Sequence, residues 1–417
     1  MEVAERFLKY IAYNTQSDEN MTSSPSTPGQ LVLAKELVNE FHNIGVTNAT
    51  VDAFGYVYAT IEANMPLQEY LPKLGLIAHM DTSPDLSGEN VKPNIIRNYN
   101  GSDILLNKEK QIIMKREEFD HLSNYIGQDL IVTDGTTLLG ADDKAGIAEI
   151  MTVAEHLVSH PEVPHCTIHI CFTPDEEIGK GTDHFDFEQF QADYAYTVDG
   201  SDVGEIVYDN FNGASATVSI QGNSIHPGDA KNKMINALLI AMEFNAMLPC
   251  NEVPATTEGY EGFYHITDLN GEVESAELKY ILRDHDKQKL EDKKKYMQRI
   301  ALYLNDKYNE SVVELAIDDA YSNMKEYITP YPHLIANAER AMESLHIKPI
   351  TTPLRGGTDG ARLSEKGLPC PNLGTGGHNF HGKFEYISIQ AMELSVELLL
   401  KIIQLYSEKT EQKVNNE

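Results

Sequence analysis

Asp175, Glu176 and Glu177 stand in a row where the apolar run beginning at Cys166 ends. Three neighbouring carboxylates repel one another unless a cation, a partner or a proton offsets them. Taken alone, they read as a solvated acidic turn. Four further residues change that reading, because His79, Asp142, Asp199 and His381 also fall at expected strand ends or in loops. One histidine with two carboxylates is a common ligand set for a catalytic zinc, and two such sets sharing a carboxylate need about five protein ligands for metals about 3.5 to 4 Å apart. His79, Asp142, Glu177, Asp199 and His381 meet that count. Asp142, by position, can bridge such a pair, and a water held between two cations has its pKa lowered toward neutrality. Glu176, beside a ligand but pointing elsewhere, can take the proton from that water as it attacks a carbonyl.

Each residue also has a plainer reading. A lone His79 is most often a satisfied histidine at a sheet edge, but in His-Met-Asp the strand period places His79 and Asp81 on one face, where the carboxylate can orient the ring. Asp142 alone is a helix cap, and Asp199 before Gly200 is a turn residue. His378 competes with His381, and spacing does not choose between them. His226, in Ser-Ile-His-Pro-Gly, reads equally as a loop histidine, and Arg283 as a solvated strand residue. Composition and spacing support a two-metal hydrolase and nothing finer.

These side chains need elements to carry them. Leu74 to Ala78 is a short apolar run with the flanks of a buried strand and delivers His79. Residues 85–128, rich in Asn, Gly and charge, predict a long surface excursion. Leu130 to Thr133 predicts a strand, after which Gly-Ala-Asp142 opens a helix with apolar positions at 147, 150, 151, 154, 157 and 158. The segment from Cys166 predicts the next strand, and Tyr194 to Val198 one that ends at Asp199. Four successive strands thus lead to a histidine or a carboxylate, and in an open α/β sheet ligands sit at the carboxyl ends of the strands. Helical spacing also marks residues 3–12, 30–44, 332–346 and Ile387 to Tyr406, and the polar last ten residues are expected to fray.

After Tyr208 the strands become one-sided: Ala214 to Ile220, Gly262 to Leu269, a turn at Asn270-Gly271, Ser275 to Leu282, and Val312 to Ala316. Helical stretches at 232–248 and 286–305 separate them, which is the split βαβ order of a small antiparallel domain. The expected fold class is therefore α/β, a catalytic domain with a mixed, mostly parallel sheet between helices, formed by 1–208 and 321–417. An α+β domain with an antiparallel four-stranded sheet is inserted over 209–320.

Composition narrows the partners. The 417 residues carry 33 Lys and Arg against 64 Asp and Glu, a net charge of −31. Such a charge argues against nucleic acid or an anionic membrane surface. Four cysteines without CxxC spacing suit free thiols in a reducing compartment. The N-terminus has no basic start followed by an apolar run, and no segment reaches a membrane-spanning length of about 18 apolar residues. The expected location is the cytoplasm.

With these residues assembled, the chain resembles the two-zinc exopeptidase family that includes carboxypeptidase G and the deacylases for acetylornithine and succinyl-diaminopimelate, and most of all its tripeptide aminopeptidases. The resemblance runs along nearly the whole chain. It is carried by His-Met-Asp-Thr-Ser-Pro-Asp at 79–85, Gly-Ala-Asp-Asp-Lys-Ala-Gly at 140–146, Thr-Pro-Asp-Glu-Glu-Ile-Gly at 173–179, Val-Asp-Gly at 198–200, His-Pro-Gly at 226–228, Arg-Gly-Gly-Thr-Asp-Gly at 355–360 and Gly-His-Asn-Phe-His-Gly at 377–382. It implies two zinc ions, with cobalt or manganese as substitutes. Asp142 would bridge them, His79 and Asp199 would complete one site, and Glu177 and His381 the other. It favours His381 over His378, makes Glu176 the general base, and has Asp81 orient His79. The inserted domain becomes a lid whose His226 reaches the oxyanion, in related enzymes from a partner subunit, so a homodimer is expected. Arg283, Arg355 and Asn379 become candidates for holding the peptide's carboxylate or backbone. The implied activity is release of the N-terminal residue from tripeptides. Asp229 departs from the small neutral residue expected after His-Pro-Gly.

Overall fold

The computed structural model describes residues 1–65 and 71–414. The chain divides into two compact units, one formed by Met1–Tyr208, Tyr327–Thr351 and Thr358–Glu417, the other by Asp209–Glu326 and Thr352–Gly357.

A seven-stranded sheet runs through the first unit, in the order Thr50–Val51, Val57–Ile61, Ile168–Thr173, Leu74–His79, Tyr194–Gly200, Asn372–Gly374, Ile206–Val207. Its four central strands pair in parallel, and the outer pairings are antiparallel. The sheet is mixed as expected, with parallel pairing confined to the centre. Every residue of Leu74–His79 and of Ile168–Thr173 is buried, which explains why the first reads as an apolar run up to His79 and the second as one interrupted by His169: a strand covered on both faces has no polar side to alternate with. The helix Ala141–Ser159 is apolar around most of its circumference and packs on the strand Leu74–His79.

One expectation fails here. Leu130–Val132 is not part of this sheet; it pairs antiparallel with Asn94–Ile96 and with Tyr386–Ser388 in a separate four-stranded sheet. Asp142 therefore arrives through the loop that follows this second sheet. A three-residue strand is too short for side-chain period to reveal its partner. The stretch 85–128 is also more ordered than a plain excursion, containing Asn94–Ile96 and the hairpin Ile104–Asn107 with Ile112–Met114. The closing helix spans Ile389–Val414, beginning after the strand Tyr386–Ser388. The side chains of the polar tail expected to fray, from residue 408 onward, lie outside the described residues.

The second unit carries a four-stranded antiparallel sheet in the order Phe263–Gly271, Ser275–Asp284, Asn212–Gln221, Val313–Tyr321. Alternate residues of Asn212–Gln221, among them Ala214, Ala216, Val218 and Ile220, join Ile240, Phe244, Met297, Ile300 and Leu304 from the helices Ala237–Ala246 and Lys287–Tyr308 in one core. Asn270 and Gly271 are not the turn: they pair with Glu277 and Ala276, and the chain reverses over residues 272–274. The first of these helices starts later than its apolar spacing suggests because Asn236 caps it, its Oδ1 accepting the Leu238 N–H at 3.0 Å. Among the described residues no helix is long and apolar enough to cross a membrane.

Candidate metal centre

His79 is the last residue of its strand, and its Nε2 lies 2.8 Å from Asp142 Oδ1 and 3.5 Å from Asp199 Oδ1. His381 Nε2 lies 3.2 Å from the other oxygen of Asp142 and 2.9 Å from Glu177 Oε2. All five expected ligands thus converge, with Asp142 central and one of its oxygens turned to each imidazole. His79, Asp142 and Glu177 offer ligand atoms within 4.8 Å of one another, as do His79, Asp143 and Asp199. His378 turns elsewhere, its Nε2 2.6 Å from the Tyr125 hydroxyl.

The electrostatics show what this cluster attracts. Burial alone would lower the His79 imidazole, but the charge of Asp199 and hydrogen bonds to Asp142, Asp199 and Asp81 hold it well above its ordinary value. Hydrogen bonds to Asp142 and Glu177 push His381 up to about 11. Burial pushes Asp199 to about 7 and, with the Asp142 charge, Glu177 to about 8. Crowded carboxylates raise one another's proton affinity because the site concentrates negative charge, and a bound dication offsets that charge where protons otherwise must. The donor set of imidazole nitrogen and carboxylate oxygen suits zinc, cobalt or manganese. Glu177 Oε1, buried and without a hydrogen-bond partner, is a further oxygen available to a cation. The residues present therefore fit a pair of divalent ions.

Asp81 is fully buried and does more than face His79. Its Oδ1 accepts the Glu176 N–H at 3.0 Å and its Oδ2 the Glu177 N–H at 3.1 Å, while His79 Nδ1 lies 3.1 Å from the Asp81 carbonyl and 3.3 Å from its carboxylate. One carboxylate thus ties the histidine strand to the acidic turn. Glu176 is half-buried, and desolvation raises its carboxyl well above the usual range, with Asp359, Asp199 and Glu177 adding to the shift and His79 opposing it.

Asp175 by itself reads as a solvated or a loop-shaping residue, and the structure supports the second. It is fully buried, and its carboxylate accepts the Ser26 N–H at 2.7 Å, the Ser26 hydroxyl at 2.5 Å and the Gln30 amide at 2.7 Å. It anchors the turn from below while its φ of 57° starts the turn itself. Asp175→Ala is expected to destabilise the protein by about 1–3 kcal/mol in urea unfolding, since it leaves buried donors without acceptors.

The remaining expected residues are placed as follows. Asn379 shares a loop with His381, but its amide donates to the Phe384 carbonyl at 3.0 Å and its Oδ1 meets His121 Nε2 at 3.1 Å. His226, Arg283 and Arg355 belong to the second unit. His226 is exposed, its Nδ1 accepting the Gly228 N–H at 3.2 Å. Arg283 Nη1 donates to the carbonyls of Ala214 and Leu282, and its guanidinium lies 5.0 Å from the Tyr321 ring. Arg355 donates to Gly259 O at 2.9 Å, Glu261 O at 2.8 Å and Thr257 Oγ1 at 2.8 Å, close to the rings of Phe211 and Phe263.

Two acids at the site escaped the sequence reading although both lie in quoted motifs. Asp143 is buried beside His79 and Asp199, yet its oxygens accept the His79 N–H at 3.1 Å and the Gly146 N–H at 3.2 Å, so it braces backbone where Asp142 faces imidazoles. Gly146 must be glycine, since a Cβ there would meet the Val198 carbonyl at 2.0 Å. Asp359 is buried, accepts the Thr173 hydroxyl at 2.9 Å and is pushed by burial to about 6. An acid following a threonine at a helix start looks like a cap, which is why Asp359 gave no signal.

Residues 134–405 match the model of peptidase family M20/M25/M40. Among curated relatives, peptidase T of Clostridium novyi is 55% identical over 405 residues, covering 97% of this chain and 99% of the relative. Among solved structures, aminopeptidase PepT of Bacillus cereus aligns with a TM-score of 0.76 at 22% identity, over 97% of this chain and 98% of that one. A tripeptidase of Staphylococcus aureus aligns with a TM-score of 0.76 at 23% identity, over 98% of both chains. A Bacillus subtilis protein described as a dinuclear metal binding peptidase of the M20 family shares the fold with a TM-score of 0.60 at 13% identity, over 97% of this chain and 99% of that one. On this likeness the chain belongs to peptidase family M20/M25/M40 and, within it, to the peptidase T group.

Proposed function

We propose that the chain is a cytoplasmic tripeptide aminopeptidase that hydrolyses the first peptide bond and releases the N-terminal residue. The observation that carries this reading is the central position of Asp142, with one oxygen turned to His79 and the other to His381, beside an acid turn held by Asp81. His79 and Asp199 would hold one zinc and His381 and Glu177 the other, with Asp142 shared. When bound, the two ions supply Lewis acidity toward the peptide carbonyl and the attacking water.

The chain's own groups do the rest. Glu176, fixed through its backbone by Asp81, takes the proton from the attacking water and returns it to the departing amine. His226 donates toward the developing oxyanion. Its Nδ1 accepts the Gly228 N–H, so the neutral ring carries its proton on Nε2, the tautomer that such a donation requires. Arg283 supplies positive charge for the substrate's C-terminal carboxylate. Arg355, lodged among the carbonyls of its own unit, acts by shaping residues 257–261, and Asn379 by shaping the loop of His381. The second unit acts as the lid and the contact of a homodimer, for which Leu239, Met242, Leu302 and Tyr303, all exposed on its two helices, are available.

The test is the purified, zinc-loaded protein assayed against di-, tri- and tetrapeptides and N-acetylated tripeptides, with products identified. Tripeptides should lose their N-terminal residue, blocked tripeptides should survive, and a chelator should stop the reaction. Release of the C-terminal residue, or hydrolysis confined to acylated amino acids, would assign the chain to a carboxypeptidase or deacylase reaction instead.

A further inference from the structure

The loop that delivers Asp142 is gripped by a residue that plays no part in the reading above. Glu385 is 2% exposed, and its carboxylate accepts three backbone N–H groups of that loop: Leu139 at 2.6 Å, Gly140 at 2.8 Å and Asp142 at 3.1 Å. Gly140, with φ of 83°, bends the chain so that these donors point inward. Convergent N–H groups make a concave anion site, and here the protein fills it with its own carboxylate.

Glu385 lies four residues after His381 and directly before the strand Tyr386–Ser388. That strand pairs with Leu130–Val132, which precedes the Asp142 loop. The two arms that meet at Asp142 Oδ2 and His381 Nε2, 3.2 Å apart, are thus joined by strand pairing at their base and by one carboxylate nearer their tips. His381 itself sits at φ of 61°, a backbone conformation that needs support from its surroundings.

We infer that Glu385 is a positioning residue that sets the spacing between Asp142 and His381, and thereby the affinity of the metal centre. It touches the backbone of Asp142 and acts through it. The inference rests on the two-metal reading above. A brace that merely stabilised the fold would change the melting temperature and leave zinc affinity unaltered in the folded protein. A positioning residue changes zinc affinity itself, because a ligand pair held at the wrong spacing must spend binding free energy on closing up.

Glu385→Gln keeps the side chain's shape but presents one acceptor oxygen and an NH₂ group to three N–H donors. Glu385→Asp keeps the charge and withdraws it by one methylene, and serves if the glutamine variant does not fold. For whole-chain wild type and variant, zinc stoichiometry and the affinity of each ion are measured by chelator competition, with folding followed by circular dichroism. The expected result is a folded variant in which at least one zinc binds about 10- to 100-fold more weakly, with turnover recovering as free zinc is raised. Wild-type affinity for both ions in a folded variant overturns the positioning role alone. A wild-type chain that fails to bind two zinc ions overturns the two-metal reading on which it rests.

Discussion

Glu176→Gln is expected to lower kcat by about 10²- to 10⁴-fold while leaving bound zinc and the melting temperature close to wild type. The substitution is nearly isosteric, and the hydrogen bond that places residue 176 runs from its backbone N–H to Asp81, so the side-chain change does not disturb the turn. What disappears is a carboxylate whose proton affinity is raised by burial and by the surrounding acids Asp359, Asp199 and Glu177. Raised affinity for a proton is what a base needs if water is to be deprotonated near neutral pH. KM should change little, because the residue serves proton transfer more than substrate binding. Steady-state kinetics and metal analysis on the same preparation check both halves. A variant that kept its zinc and retained wild-type kcat would place the base elsewhere.

The second large effect is expected at Asp142. Asp142→Ala removes the side chain whose two oxygens face His79 and His381 separately, and on the proposed two-metal reading both ions then lose a ligand at once. Bound zinc should drop at both positions, and turnover should fall to background even in excess zinc. Asp199→Ala is the contrasting variant, since of the two imidazoles Asp199 approaches that of His79, and on the proposed two-metal reading its loss should weaken one ion and spare the other. Metal analysis after gel filtration distinguishes the two patterns. Equal zinc loss in both variants would mean that the centre is not shared in the way the geometry indicates.

Much of this site was legible in advance, and the reason differs by residue. His79, Glu177 and Asp199 could be found because each follows an apolar run whose length and flanks mark a buried strand, and a buried parallel strand ends where its polar residues begin. The antiparallel sheet of the second unit was readable from its one-sided alternation, as in Asn212–Gln221. Asp175 stayed open between a solvated and a loop-shaping reading because a solvated acid and a buried, satisfied one share the same letter; only Ser26 and Gln30, roughly 145 residues away in the chain, distinguish them. Arg355 and Asn379 carried the residue types of substrate contacts, while their hydrogen bonds hold their own loops. Glu385 had no local signal, since its three partners are backbone N–H groups with no side-chain identity to read.

By itself the sequence determined the inventory: two histidines and a set of carboxylates, the buried strands that carry several of them, and the one-sided sheet of a second unit. Tertiary structure alone decided the arrangement. The strands Ile168–Thr173, Leu74–His79 and Tyr194–Gly200 are neighbours in the sheet but not in chain order, and a side-chain period of two carries no information about which strand lies beside which. That order brings the acidic turn and Asp199 to either side of His79. The separate sheet around Leu130–Val132, with Glu385 above it, brings Asp142 and His381 together. Which oxygen faces which imidazole follows from those packings, because a few tenths of an ångström at a metal centre are set by what supports the ligands and not by the ligands themselves.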